Sequence, residues 1–480
     1  MKHAILLFFA VAGLQSGRAQ VSCGMDGFAG GSACLEVDLM SSLTLSQVGG
    51  GNNGNDCWGW VDPTSGREFV LYGRANGTAV VEITDPVNPV YLANIPTATV
   101  SSLWRDIKVH GHHAYIVSEA SGHGMQVVDL EPILDLTPGL VATLTPEVTY
   151  SNFGKAHNLI INEESGYAYV VGSNTFSGGL HIVSLADPAA PVLAGAYDGA
   201  YAHDAHPIVY HGPDASYTGR ELVFCFNGYS GMSIVDATDK TDVSLISTLT
   251  YAQLGYTHQG WVNDDHTLCF VNDELDETNF GNNTRTYIVD ITDIEAPTIL
   301  GYYEADVPAI DHNHYVVGNR LFQANYLSGL RILDISDAAN GNLELVGHYD
   351  TNPESDAAEF GGAWSVYPYF PSGNVAISTM TGLYIVRPSD AVWGVEEVAG
   401  CMYSFAGNFN PEATVDDGSC VEAGCTDESA LNFSATAEVE NGSCVYAVGS
   451  ACAEDVNADG FVSIQDLLLL LGAFGNNCQP

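Results

Sequence analysis

The sequence predicts an all-β protein: a seven-bladed β-propeller, followed by small disulfide-stapled repeats and one calcium-loop–helix segment. Three observations predict it. A strand-then-turn phrase recurs seven times, as VVEITDP from residue 80, QVVDLEP from 126, HIVSLADP from 181, SIVDATDK from 233, YIVDITDI from 287, RILDISDA from 331 and a degenerate YIVRPSD from 384. Its matched positions, Glu82, Asp129, Ser184, Asp236, Asp290, Asp334 and Arg387, stand 47, 55, 52, 54, 44 and 53 residues apart. Each period holds several short β-rich runs broken by Gly, Asn, Asp and Pro, the pattern of one propeller blade per period.

Read in order, residues 1–19 carry a basic start, an apolar run and small residues before the break, which predicts a cleavable export leader. Residues 20–42 form an N-terminal segment in which Cys23 and Cys34 can pair. The propeller is placed at 43–390, with the spare run LTLSQV (43–48) completing blade seven and closing the ring, which protects the sheet edges. Cys57, Cys225 and Cys269 read as free thiols, the last two inside strands.

Twenty to thirty residues before each phrase lies a second repeated element, the expected innermost strand: WGWV at 58, RDIKV at 105, HNLII at 157, HDAHPIV at 203, HQGWV at 258, HNHYV at 312 and WSVY at 364. Period-two alternation then presents His157, His203, His258 and His312 from four consecutive blades to one axis. Which of His203 and His206, or of His312 and His314, faces the channel stays open, because a one-residue slip reverses each choice. Arg105, Asp106, Glu119, Asp204, Asp273, Glu274 and Asp311 are expected around the same mouth, and His123 is a further candidate.

Two chemistries fit such a ring. Imidazoles suit iron, copper or zinc, with neighbouring aspartates orienting them. Imidazoles also hydrogen-bond well to backbone and water in a wet channel. For NDELDETNFGNN (272–283) the preferred reading is a solvated loop, with calcium binding through Asp273, Glu274, Asp276 and Glu277 as the alternative.

The composition changes after the linker 391–400. Residues 401–446 are two tandem copies, each expected to be stapled by its own disulfide, Cys401 to Cys420 and Cys425 to Cys444. Residues 452–478 contain DVNADGFVSIQD, with Cys452 and Cys478 able to clasp the segment. Asp455, Asn457, Asp459, Phe461 (through its carbonyl), Ser463 and Asp466 occupy calcium-loop positions 1, 3, 5, 7, 9 and 12, and Gly460 supplies the sharp turn. An apolar helix over Leu467–Phe474 is expected to follow and to want a partner surface.

The stretches WGWVDPTSGREFVLYG, SSLWRDIKV, HNLIINEESGYAYVVGS, THQGWV, DELDE, DHNHYV and QANYLSGLRILDIS resemble, in this order, the choice-of-anchor B family of secreted LVIVD-repeat propellers. The resemblance spans roughly residues 43–390 and implies seven blades followed by a variable surface-anchoring tail. It implies no particular reaction. The tail loop resembles one of the two calcium-loop–helix segments of a dockerin, which implies a cohesin-like anchoring partner.

Formal net charge is −45, which argues against nucleic acid and anionic membrane surfaces as partners. Beyond the leader, no run reaches the length of a membrane span. The reading that results is a secreted or surface-attached recognition propeller for an extracellular protein or glycan, tethered through a calcium-binding module. The alternative is a metal-dependent, oxidase- or oxygenase-like enzyme using the four histidines. No nucleophile elbow, zinc-protease motif or phosphate loop occurs.

Overall fold

Each recurrence of the phrase becomes the third strand of a four-stranded antiparallel unit, and each upstream element contributes its innermost strand. The repeated aspartate has a local cause. Asp129, Asp236, Asp290 and Asp334 each accept, on Oδ1, the backbone N–H two residues ahead at 2.7–2.9 Å. This closes the turn that leads to the outermost strand. The computed structural model describes residues 20–394, 454–474, and 399–446 except 402, 404, 405, 411, 412 and 414. The predicted leader and the Cys452–Cys478 clasp lie outside the described residues.

Seven such units make the propeller. Their inner strands are Gly54–Val61, Arg105–His110, Asn158–Asn162, Asp204–Val209, Thr257–Val262, His314–Val317 and Ala363–Tyr367. Apolar clusters fill the spaces between successive sheets, for example Phe224, Phe226 and Ile234 of blade four against Val271, Tyr287 and Val289 of blade five. Cys57, Cys225 and Cys269 are buried in these layers as free thiols, their ionisation suppressed by burial.

The ring closes by N-terminal insertion, as expected, but of the expected run 43–48 only Leu43 and Thr44 take part. Val37–Thr44 pairs antiparallel with Gly382–Pro388 as the outer strand of blade seven, and Leu45–Val48 lie in the following turn. A register shift between Leu39 and Ser41 buries Leu39 and Met40 together. Ahead of it, Phe28–Ala29 and Ser32–Leu35 extend blade six beyond Glu344–Tyr349, and a Cys23–Cys34 disulfide locks them (Cα–Cα 5.9 Å).

The chain divides into two units, before and after the Trp393–Gly394 bond. The second holds the expected disulfides Cys401–Cys420 and Cys425–Cys444, and a helix at Ile464–Gly472 capped reciprocally by Ser463 and Asp466. No helix among the described residues is long and apolar enough to cross a membrane.

Removing residues 20–44 deletes the strand that closes blade seven. The expected outcome is loss of the cooperative thermal transition seen by circular dichroism. A truncated chain that melts at the parent temperature would contradict this closure.

Candidate functional site

At the end where the inner strands begin, one residue from each successive blade approaches the axis. Arg105, His157, His203, His258, His312 and Trp364 line this mouth, with Asp56, Asp106, Asn158 and Asn313 at its floor. Neighbouring imidazole centroids stand 4.1 Å apart from His157 to His203, then 4.3 Å to His258 and 4.3 Å to His312. The four predicted histidines therefore form one continuous arc. The void beside them measures about 20 Å³, room for a single water-sized species.

Hydrogen bonds fix how the rings present themselves. His157 Nδ1 bonds Glu119 Oε1 at 2.6 Å, His203 Nδ1 bonds the His258 carbonyl at 3.2 Å, and His312 Nδ1 bonds the Trp364 carbonyl. A carbonyl only accepts, so His203 and His312 carry their proton on Nδ1 and leave Nε2 bare. Glu274 Oε1 accepts from Tyr326 Oη at 2.9 Å. It stands 3.8 Å from His258 Nε2 and 3.7 Å from His312 Nε2. One ligand atom each from His258, Glu274 and His312 lies within 4.8 Å of the others, close enough to share one ion. His157 and His203 continue the arc beyond that group. His258 Nδ1 has no hydrogen-bond partner. Burial pushes His203 and His258 well below the usual imidazole range, His312 down to about 4, and Glu274 up to about 7.

Arg105 is buried at the same mouth (2% exposed) and faces no carboxylate in hydrogen-bond contact. Its Nε bonds the Arg74 carbonyl at 3.1 Å, Nη1 donates to His123 Nε2 at 3.2 Å, and Nη2 is unpartnered. Burial and the charge of Arg74 hold it near 10. His123 thus supports Arg105 from behind.

One step deeper is a tier of carboxylates. Asp106 does not face the mouth as a ligand: Oδ2 takes the Leu159 amide of the next blade at 2.8 Å, and Oδ1 takes Lys108 Nζ at 2.7 Å. Asp56 does the same for Ile107 at 3.2 Å and lies 3.5 Å from Lys108. Asp204 belongs to this tier, pushed up to about 7 by burial. Burial alone would depress Lys108, but Asp106 and Asp56 outweigh it and hold the ammonium charged. Because Asp56 plays the part of Asp106, Asn55 corresponds to Arg105, and Trp58 is not the equivalent of His157.

Trp58 instead marks the opposite end of the axis. There Trp58, Lys108, His206, Trp261, Tyr367 and Tyr369 border a cavity of about 410 Å³. Lys108 Nζ sits 4.7 Å over Trp58, and His206 stacks on Trp261 at 3.8 Å with its Nδ1 accepting from the Val262 amide at 3.0 Å. His203 and His312 therefore serve the polar mouth and His206 the aromatic one, while His314 is buried with Nε2 on the Phe270 carbonyl at 3.1 Å. The aromatic mouth was absent from the sequence-based candidates. Trp58 and Trp261 inside the repeated inner-strand element were its signal.

The acidic segment is not a solvated loop. Asp273, Asp276 and Glu277 are buried, and Asp311 joins them. Asp273 is an internal clamp rather than a mouth residue, accepting the amides of Gly255 (2.8 Å) and Tyr256 (2.5 Å) and the Tyr251 hydroxyl (2.9 Å). Of this segment, Glu274 reaches the mouth. In the tail, Asp455 accepts the amides of Asp459 and Gly460 at 3.2 and 2.8 Å, Asp459 Oδ1 accepts that of Phe461 at 3.0 Å, and Asp466 accepts those of Asn457 and Ser463 at 3.2 and 2.7 Å. The six loop positions thus share one closed turn ahead of the helix.

A family model described as the LVIVD repeat matches residues 153–199 and 315–351, so the chain carries LVIVD repeats in blades three and six. No curated protein matches the chain. Similar solved structures include the WD40 β-propeller domain of Doa1, 11% identical with a TM-score of 0.47 over 75% of this chain and 99% of that one. A protein from Lactobacillus plantarum is 17% identical, with a TM-score of 0.45 over 68% and 88%. The periplasmic gluconolactonase of Pseudomonas aeruginosa is 12% identical, with a TM-score of 0.44 over 62% and 86%. These likenesses say nothing of a shared activity.

Lys108→Met strands Asp56 and Asp106 without their cation. Urea unfolding is expected to show a loss of about 3–5 kcal/mol, the usual cost of breaking a buried ion pair, and an unchanged midpoint would contradict the axial role of Lys108. His206 offers a pH test. Burial depresses it to about 3 from an ordinary value of 6.5, so the fold binds fewer protons than the unfolded chain, and its contribution is lost as pH falls below 6.5. His206→Asn should be less stable than the parent at neutral pH, with the gap narrowing steadily below pH 6.5. A gap that stays constant into acid would refute this.

Proposed function

We propose that the chain is an exported, surface-tethered binding propeller whose ligand is held at the polar mouth through a transition-metal ion. One observation carries this reading. The Nδ1–H of His312 is committed to a backbone carbonyl, which turns its bare Nε2 toward Glu274 at 3.7 Å, with His258 Nε2 3.8 Å from the same oxygen. A lone pair facing a carboxylate in a buried site is unfavourable unless a cation lies between them. Two imidazoles and a carboxylate, with the far ring nitrogen of His312 fixed by an acceptor, form a recognised donor set for iron or zinc. Arg105, which lines the same mouth with Nη2 unpartnered, favours an anionic group, such as a carboxylate, as the ligand.

Export is supported by the basic-apolar leader and by three disulfides. Tethering through calcium is supported by the closed turn of Asp455, Asn457, Asp459, Phe461, Ser463 and Asp466 ahead of a capped helix. Affiliation with the choice-of-anchor B propellers and a dockerin-like role for the tail belong to the same reading.

A second reading places an organic ligand, such as a glycan, in the aromatic mouth. Its support is the 410 Å³ cavity, which falls within the usual size range of small-molecule sites and is bordered by stacking rings. Under that reading Trp261→Ala, and not His258→Ala, removes binding.

Protein purified without chelator is expected to contain about one equivalent of iron, copper or zinc by elemental analysis. His258→Ala and Glu274→Gln should each lose it while keeping the thermal transition. A parent protein that is empty and takes up none of the three ions would sink the metal reading.

A further inference from the structure

We propose that the aromatic mouth binds an organic cation, an alkylated ammonium group seated among Trp58, Trp261, Tyr367 and Tyr369. This rests on the reading that places an organic ligand at that mouth, and it names a charged class in place of the glycan. The walls come first. Trp58 meets Tyr367 at 5.2 Å between centroids and 69°, and Tyr367 meets Tyr369 at 5.4 Å and 72°. Rings set so steeply to one another cannot stack shut. They border the cavity of about 410 Å³, and Ile160, Ile161 and Val316 complete its apolar lining. Trp58, Trp261 and Tyr369 are half-buried, so part of each ring stays accessible.

The surplus charge around these rings has one sign. Glu163 and Asp264 border the same cavity and are exposed. A neighbouring groove of about 460 Å³ shares Trp58, Val109, Glu163 and Tyr367 with it and adds Asp62 and Glu131. Among the described residues bordering either, Lys108 is the one lysine or arginine. Its ammonium is already matched, by Asp106 at 2.7 Å and Asp56 at 3.5 Å. His206 adds no positive charge, since burial depresses it to about 3 and its Nδ1 accepts from the Val262 amide. The arginines at the start of second strands at this end, Arg67, Arg220 and Arg320, are each paired with a carboxylate: Glu82, Asp236 and Asp334.

The protein already uses one of these rings for an ammonium group: Lys108 Nζ sits 4.7 Å over Trp58. A ring face attracts a cation through its quadrupole, most strongly where water is excluded. A small, strongly hydrated ion gains little there, because rings and aliphatic side chains cannot replace its oxygen ligands. An alkylated ammonium carries its charge beneath methyl groups and meets the same walls without that loss. Glu163 and Asp264 at the border add attraction for a positive charge. A neutral sugar gains ring stacking but nothing from the net charge.

The probes are choline, its uncharged carbon isostere dimethylbutanol, and methyl glucoside, each titrated calorimetrically into the full-length protein at constant ionic strength. Choline is expected to bind about tenfold more tightly than the isostere, the contribution of its charge over desolvated rings. Trp261→Ala should abolish choline binding. Glu163→Gln combined with Asp264→Asn changes two exposed positions, and should weaken choline several-fold while leaving the isostere unchanged. An isostere that binds as tightly as choline, or methyl glucoside binding in place of choline, overturns the cation and leaves the aromatic-mouth reading standing. Choline binding that survives Trp261→Ala puts the cation elsewhere and overturns it too. If none of the three binds, the proposal and that reading fall together.

Discussion

Polar side chains on the innermost strands clasp one blade to the next. Asp56 holds the Ile107 amide, Asp106 holds Leu159, and Gln259 exchanges two hydrogen bonds with the backbone of His314. Each clasp replaces water at a strand that has no hydrogen-bonded neighbour on its axial side, and buried backbone groups need such partners. The clasp fixes the angle and height at which each inner strand approaches the axis. That is why His157, His203, His258 and His312 arrive in register, ring beside ring.

The same constraint gives the axis its layered chemistry. Imidazoles lie at the entry end, carboxylates around Lys108 lie below them, and tryptophans and tyrosines lie at the far end. Strand alternation puts residues two apart on the same face, so the tier of Asp56 and Asp106 is followed directly by the tier of Trp58 and Lys108. Lys108 serves both, bonding Asp106 and covering Trp58. Charge compensation is complete around Lys108 and incomplete at Arg105 and at the group of His258, Glu274 and His312. The latter two are where a ligand or ion has something to satisfy.

Much of this was legible in the sequence because repeats carry their own alignment. The blade count, the histidine arc, the free thiols and the disulfides of the described region follow from period and spacing. The closing strand was misplaced because a register shift at Leu39–Ser41 breaks strict alternation, and LTLSQV alternates better than VDLMSSLT does. Trp58 was matched to the histidines because blade one carries Asn55–Asp56 where four other blades begin with histidine. The acidic segment read as solvated because burying several carboxylates is costly, and nothing local reveals that Asp311 arrives to join them.

Anomalous diffraction from a crystal of the full-length protein purified without chelator, collected across the iron, copper and zinc edges, tests the central claim most directly. The account predicts one peak bounded by the ring nitrogens of His258 and His312 and a carboxylate oxygen of Glu274. An ordered mouth with those three side chains in place and no peak among them would contradict it.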